Sequence, residues 1–284
     1  MDFCTYFDSA YATKGWVCHR TLIDRSPGSR LFVLALDDKT LAQAEDLVGR
    51  RIVPVRLADI ESYCPALLAI KETRQLKEYY ATISPVLPLF LFDRFGMETV
   101  FYTDADMAFW SEPEEIADVM GDSSLMVTDH GFEPPRTGVR FNVGILGYRN
   151  DAYCREFLEW WRDRCLEWCE WRTLPDGRCA DQGYLNILHD QPGRFKGVLS
   201  CPQPGINLGP WGIGRHTIAA ESGHLRIDGR HNLVCYHYHE FRMTGPDSYY
   251  PTGWKHTASD RRLVYEPYFA LTRQAMFGTI WSSK

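Results

Sequence analysis

The chain has no apolar run approaching the ~20 residues that a bilayer requires, so a membrane-spanning helix is not expected among its 284 residues. It has no block of lysine or arginine. Its 31 basic residues against 37 acidic ones leave a net charge of -6, which argues against a nucleic-acid partner. Cysteine is present but never in a paired spacing. The nine cysteines are an odd number, and Cys165, Cys169 and Cys179 lack the Cys-x2-Cys step of a structural zinc site, so reduced thiols and a cytoplasmic location are expected. The N-terminus lacks the basic segment of a secretory leader and enters a strand-like stretch at residues 3–7. The Gly-x-Gly-x-x-Gly loop of a dinucleotide site is missing after that first strand, where Asp8, Ser9 and Tyr11 stand instead. Internal repeats and low-complexity linkers are missing too. What is there is 45% hydrophobic residues, enough to bury a full core in one large domain.

The most informative stretch is residues 100–107. Val100, Phe101, Tyr102 and Thr103 form an apolar, β-branched and aromatic run that ends abruptly in two carboxylates, Asp104 and Asp106. This pattern predicts a buried strand with acids at its carboxyl end, followed by a helix start. Ligands of open α/β sheets sit outside the carboxyl ends of the strands. Two carboxylates there suit a hard divalent cation, Mg2+ or Mn2+, which takes oxygen ligands and binds substrate phosphates alongside. An isolated Asp-x-Asp also fits a solvated turn; its place directly after a strand favours the metal.

Before that stretch the pattern alternates strand and helix. A strand at 1–7 precedes a helix at 10–24 capped by Asp8 and Ser9, a strand at 30–36 that reads as fully buried precedes a helix capped by Asp37 and Asp38, and a third strand covers 51–55. Such β-α-β-α-β alternation predicts a parallel, Rossmann-like sheet. Locally, Asp8 and Tyr11 read more readily as a helix cap and a packing ring than as base contacts, although a carboxylate and an aromatic face suit both tasks. Residues 58–82 have a helical pattern with a new segment at Pro65, and Ser84-Pro85 resembles an N-cap with proline at the first helical position.

Past the two acids, a helix is expected at 113–120, a strand at 124–128 ending in Asp129 and His130, a Gly/Pro-rich loop at 131–140, and a strand at 141–148 whose polar exception is Asn142. A long helix at 151–171 carries Trp160, Trp161, Trp168 and Trp171, a stripe that fits core or a contact in a homo-oligomer. Asp181 and Gln182 open a short helix, a strand follows at 195–199, and the tail at 259–277 is helical. A strand at 233–237 ends in His237, Tyr238 and His239; alternation puts both histidines on one face, and imidazole suits Mn2+ beside the carboxylates.

In this order the motifs are recognisable. The chain resembles the GT-A glycosyltransferases, most closely glycosyltransferase family 8, which includes glycogenin and bacterial lipopolysaccharide galactosyltransferases. Four segments carry the resemblance: Asp8-x-x-Tyr11 after the first strand, Tyr102-Thr103-Asp104-Ala105-Asp106, Phe141-Asn142-Val143-Gly144, and Ala180-Asp181-Gln182, with His237 at the place of a late metal-ligating histidine. The expected fold is therefore α/β of GT-A type: a Rossmann-like, mostly parallel central sheet flanked by helices, with residues 1–245 as the transferase domain and 246–284 as a C-terminal extension packed on it. The resemblance implies that Asp104, Asp106 and His237 hold Mn2+ (or Mg2+) and that Thr5, Tyr6, Asp8, Tyr11 and Asp104 contact the nucleotide. It also implies that Asp129, Asn142 and Asp181 hold the sugar, with Gln182 and Asp181 beside the reacting carbon.

The implied activity moves a hexose from a nucleotide-diphosphate sugar, UDP-sugar favoured, to a glycan, lipid-linked or small-molecule acceptor with retention of configuration. The family's lysine after the metal histidine is absent, because this chain has Arg242-Met243-Thr244 there. Consecutive side chains on one strand face are about 6.5–7 Å apart, so only one of the two histidines is expected on a metal. That one is His237, leaving His239 to donate to the diphosphate. Competing readings are a sugar-nucleotide pyrophosphorylase, a binding protein without turnover, and a self-glycosylating protein. The first needs a Gly-rich basic loop, whereas residues 7–15 hold one lysine and one glycine. The acceptor is expected at 131–140, Pro210-Trp211 and Tyr249-Tyr250.

Overall fold

The computed structural model describes residues 1–132 and 139–281. The first half builds β1 (Asp2–Phe7), α1 (Ala12–Arg25), β2 (Arg30–Ala35), α2 (Asp38–Asp46) and β3 (Ile52–Arg56). The three strands are parallel neighbours, and their apolar composition follows from burial on both faces. Leu31 and Val33 of β2 point into one core with Phe3 and Phe7 of β1 and Trp16 and Leu22 of α1. Phe32 and Leu34 point into the other, with Cys4. Four helices then cross to the far side of β1: α3 (Leu57–Tyr63), α4 (Ala66–Lys71), α5 (Leu76–Ile83) and α6 (Val86–Phe95).

β4 (Thr99–Thr103) pairs parallel with β1. β5 (Met107–Phe109), α7 (Glu114–Met120), β6 (Leu125–Asp129), β7 (Phe141–Arg149), α8 (Ala152–Glu167) and β8 (Val198–Ser200) follow. The seven-stranded sheet has the order β3-β2-β1-β4-β7-β6-β8, with β7 alone antiparallel to its neighbours. The expected mostly parallel α/β sheet is thus observed. A small antiparallel sheet follows: β9 (Ile218–Glu221), β10 (His224–Ile227) and β11 (His231–Asn232). β12 (Cys235–His237) pairs antiparallel with β5. A hairpin of β13 (Arg242–Gly245) and β14 (Ser248–Tyr250) bridges residue 245. The last helix, α9 (Glu266–Met276), packs on α1, where Tyr238 stacks on Tyr268 with centroids 3.5 Å apart. Among the described residues no helix is long and apolar enough to cross a membrane.

Several local expectations are corrected. The two acids run directly into β5, not into a helix start. Residues 58–82 break at Pro65 as expected and once more before Leu76, where α5 begins with a reciprocal cap between Gln75 and Glu78. Ser84 is not an N-cap: it ends α5, and its hydroxyl is committed to Tyr6 and Asp181, so α6 starts at Val86. Tyr11, not Asp8 or Ser9, stands at the N-cap of α1. α8 stops at Glu167 because Arg74 donates to the carbonyls of Cys165 and Leu166, at 2.7 and 2.5 Å, satisfying acceptors that a helix end leaves open. The expected strands at 195–199 and 233–237 shrink to β8 and β12. Leu233 and Val234 are drawn out of the second by backbone bonds to Leu225 and Gly205.

Candidate active site

From β1 the chain moves outward to β2 and β3, then returns to β4 on the opposite side of β1. Such a reversal opens a crevice at the carboxyl ends of the two strands. A cavity of about 840 Å³ lies there. Tyr6, Asp8, Tyr11, Asp104, Asp106, Asn142, Asp181, Gln182, His237 and His239 all line it. Thr5 and Asp129 do not. Alternation along β1 turns Tyr6 toward the cavity and leaves Thr5 fully buried on the side of Phe3 and Phe7. Asp129 instead accepts from the Gly131 amide and pairs with Arg140 at 3.0 Å.

Ligand atoms of Asp104, Asp106 and His237 lie within 4.8 Å of one another. His237 Nε2 is 3.1 Å from Asp106 Oδ1 and 3.7 Å from Asp104 Oδ2. Three pieces of backbone bring them together. The Asp104 amide donates to the Gly144 carbonyl, the Tyr238 amide donates to the Asp106 carbonyl, and His237 pairs with Met107 across the β5–β12 ladder. The Tyr102 hydroxyl donates to Asp104 Oδ1 at 2.7 Å and fixes its rotamer. Burial and the neighbouring Asp106 raise the Asp104 pKa, with His237 opposing. Burial would raise Asp106 too, but His237 and Lys14 outweigh it and hold that carboxyl well below the usual range. Burial disfavours the charged imidazole of His237, and the two carboxylates reverse this. Two acids forced together beside one imidazole are a donor set that a divalent cation relieves, since its charge inverts the local repulsion. The site is compatible with such an ion.

Behind His237 lies a polar cluster that sequence reading missed in part. Asn142 Oδ1 accepts from the Gly144 amide and from Asn207 Nδ2, while Asn142 Nδ2 donates to His130 Nε2. His130 Nδ1 then donates to the Arg140 carbonyl; burial, the largest cause, lowers its pKa to about 4 and keeps it neutral. Gly144 makes this possible. A Cβ there would lie 2.5 Å from Asn142 Oδ1, 2.6 Å from His237 Nδ1 and 2.9 Å from Asn207 Oδ1. Gly144→Ala should therefore lower stability by about 1–3 kcal/mol and weaken Mn2+ binding together, as read by thermal denaturation and Mn2+ titration. A stable variant with unchanged Mn2+ affinity would show that the cluster does not position His237.

On the other wall, Asp181 accepts from Ser84 Oγ at 2.6 Å and from the Gln182 amide at 2.9 Å, and its carbonyl accepts from Trp161 Nε1. Ala180 before it has φ +48°, a left-handed conformation that strains a residue with a side chain. Burial, with Asp104 adding to it, pushes the Asp181 carboxyl up to about 6. At the β1 end, Asp8 Oδ1 accepts from the Ala10 and Tyr11 amides, and Asp37, which caps α2, also accepts from the Ser9 amide. Tyr11 is 49% exposed, leaving ring surface open to the cavity. Lys14, on the first turn of α1, stands 4.8 Å from the Tyr11 centroid and 3.7 Å from Asp106 Oδ2. His239 is exposed, its ring 6.0 Å from that of His237; burial of its inner part and the nearby His237 lower its pKa.

Of the expected acceptor segments, Trp211 lines the cavity. Tyr249 and Tyr250 do not; Tyr249 stacks on Phe241, and Arg242 covers Tyr250. Most of the 131–140 loop, residues 133–138, lies outside the described residues, while Phe132 lines the cavity stacked between His130 and Trp254. The tryptophan stripe divides. Trp161 is fully buried, Trp160 packs on the core, and Trp171 is 52% exposed at the cavity rim.

No family model matches the chain. Two proteins of Bacillus subtilis strain 168, the uncharacterized proteins YfnF and YfnD, are each 28% identical to it, over 85% of this chain and 82% of YfnF, and over 94% of this chain and 87% of YfnD. Among solved structures it is similar to the galactosyltransferase LgtC in complex with donor and acceptor sugar analogs (TM-score 0.58, 19% identity, covering 96% of this chain and 95% of that one). It is also similar to the glycosyltransferase GlyE of Streptococcus pneumoniae (TM-score 0.55, 15% identity, 98% of this chain and 63% of GlyE). The fold is that of the GT-A glycosyltransferases, resembling family 8.

Proposed function

We propose that this protein, on its GT-A frame, is a metal-dependent glycosyltransferase that moves a hexose from a UDP-sugar to an acceptor hydroxyl. The observation that carries the reading is the Asp104, Asp106 and His237 group at the point where the strand order reverses. A bound divalent ion, Mn2+ better than Mg2+ because one ligand is imidazole, supplies Lewis-acid neutralisation of the departing diphosphate. The residues do the rest. Tyr11 offers a ring face to the base, and Asp8, an acceptor-only group when ionised, accepts a hydrogen bond from the uracil N3–H. Asn142 Nδ2 has a second hydrogen beyond its bond to His130, which leaves a donor for a sugar hydroxyl.

Asp181 accepts from another hydroxyl, and Gln182 stabilises the oxocarbenium-like state. Both oxygens of Asp181 already accept hydrogen bonds, which weakens it as a nucleophile and supports front-side attack with retention. Cytoplasmic action agrees with nine cysteines that are all free thiols. The test is a panel of UDP-, GDP-, ADP- and TDP-sugars with and without Mn2+. Binding and slow hydrolysis of a UDP-sugar only with Mn2+ supports the reading; tight binding with no turnover toward any acceptor hydroxyl makes it a binding protein. UDP should bind at least ~10-fold more tightly than GDP, a difference of about 1.4 kcal/mol. Titration calorimetry that ranked GDP first would remove Asp8 and Tyr11 from the base site.

A further inference from the structure

The cavity has a charge problem. Asp104 and Asp106 cancel a divalent ion, yet the diphosphate of a nucleotide sugar brings two further negative charges into a partly buried site. Side-chain exposure at the two acids is only 23% and 13%, so water screens those charges weakly. Among the described residues lining the cavity, Lys77 is the one lysine or arginine, and its ammonium is set over the Trp171 ring at the rim, 5.8 Å from the centroid. The cation placed beside the acids is Lys14. Its Nζ is 3.7 Å from Asp106 Oδ2, its side chain is 19% exposed, and it sits on α1 just past the carboxyl end of β1. The two oxygens of Asp106 are thereby divided, Oδ1 facing His237 and Oδ2 facing Lys14.

We propose that Lys14 is the diphosphate-binding cation of this site and that it changes partner. It pairs with Asp106 while the carboxylates hold no ion, and it turns to the phosphates once they do. This rests on the nucleotide-sugar reading above. A divalent ion on Asp106 cannot share that oxygen face with an ammonium 3.7 Å away without like-charge repulsion. An ammonium has three donors on a flexible four-carbon stem and re-aims at low cost. The phosphates would lie within its reach, because the base-facing ring of Tyr11 is already 4.8 Å from Nζ.

The partner exchange predicts two changes of opposite sign, which a packing role does not. Lys14→Met keeps the stem over Tyr11 and removes the charge. It should bind Mn2+ alone more tightly than the parent, and UDP at saturating Mn2+ about tenfold or more weakly. Lys14→Arg should restore much of the UDP affinity. Both are read by titration calorimetry on the full chain, with thermal melts to verify folding. Equal losses of Mn2+ and UDP affinity, or no change in either, would overturn the assignment, as would a UDP deficit in Lys77→Met but not in Lys14→Met. If the parent protein bound UDP no better with Mn2+ than with EDTA, the nucleotide-sugar reading itself would fall, and the role of Lys14 with it.

Discussion

His237→Ala should abolish Mn2+-dependent UDP binding, with Mn2+ affinity falling by more than ~100-fold, since even the outer partners of a metal ligand are worth 10–100-fold. The imidazole is one of three converging donors and keeps only 6% of its side-chain surface exposed, so no water replaces it on equal terms. The variant should also lose stability without any metal, because Asp104 and Asp106 would then share one buried site with only Lys14 as counter-charge. Asp106→Ala should lose the metal equally. His239→Ala should leave Mn2+ affinity nearly intact, because that ring is exposed and stands apart from the cluster. In the parent, Mn2+ affinity should fall as pH drops below neutrality. Burial resists charging His237, but the two carboxylates outweigh it and hold a proton there that the metal must displace. Mn2+ titrations of the three variants and the parent, at several pH values with EDTA controls, decide this. A His239→Ala variant that lost the ion while His237→Ala kept it would reverse the assignment.

Asp181→Asn should do two opposite things: raise the melting temperature at pH 7.5 by several degrees and lower turnover at least ~100-fold. Burial first, and Asp104 second, push the Asp181 carboxyl up to about 6, against the hydrogen bonds from Ser84 and Gln182. The folded chain therefore binds this proton more tightly than the unfolded chain, whose carboxyl sits near 3.8. Stability from this group is fully present below pH 4 and is lost as pH rises through 6. At pH 7 the buried anion costs up to about 3 kcal/mol. Asparagine removes that charge while its carbonyl still accepts from the Gln182 amide. Melting curves of the two proteins should then separate above pH 6 and converge near pH 4. A variant less stable than the parent at pH 7.5 would mean that the Ser84–Asp181 bond outweighs the burial.

The strands and the paired acids that follow β4 were legible because apolar runs and abrupt polar ends are local features. β2 is apolar at five successive positions, and the change to Asp104 falls one residue past Thr103, where β4 ends. His237 was legible for the same reason. Asn207, by contrast, makes its bonds to Thr128 and Asn142, residues 79 and 65 positions away, and no local pattern announces them. His130 stood in view beside Asp129 but was passed over, since nothing in the sequence states that Arg140 occupies the acid and Asn142 the imidazole. The helix end at Glu167 was hidden because its cap, Arg74, comes from another part of the chain. Thr5 is the case where a local rule was available: alternation with Tyr6 sets it on the opposite face.

The path between Leu208 and β12 has a bearing on how such a protein changes. The Leu208 amide donates to Cys235, and the His237 amide returns to the Leu208 carbonyl, so the chain leaves the site and re-enters it at one spot. Everything between, including the β9–β11 sheet and Trp211 at the cavity wall, is a closed excursion. Closing a longer excursion adds little, about 0.6 kcal/mol for each doubling of length. Changes of length within 209–234 are thus cheap in chain entropy while the Leu208 bridge keeps the imidazole in register; what limits them is packing, since Ile213, Ile218, Ile227 and Leu233 are buried in the core.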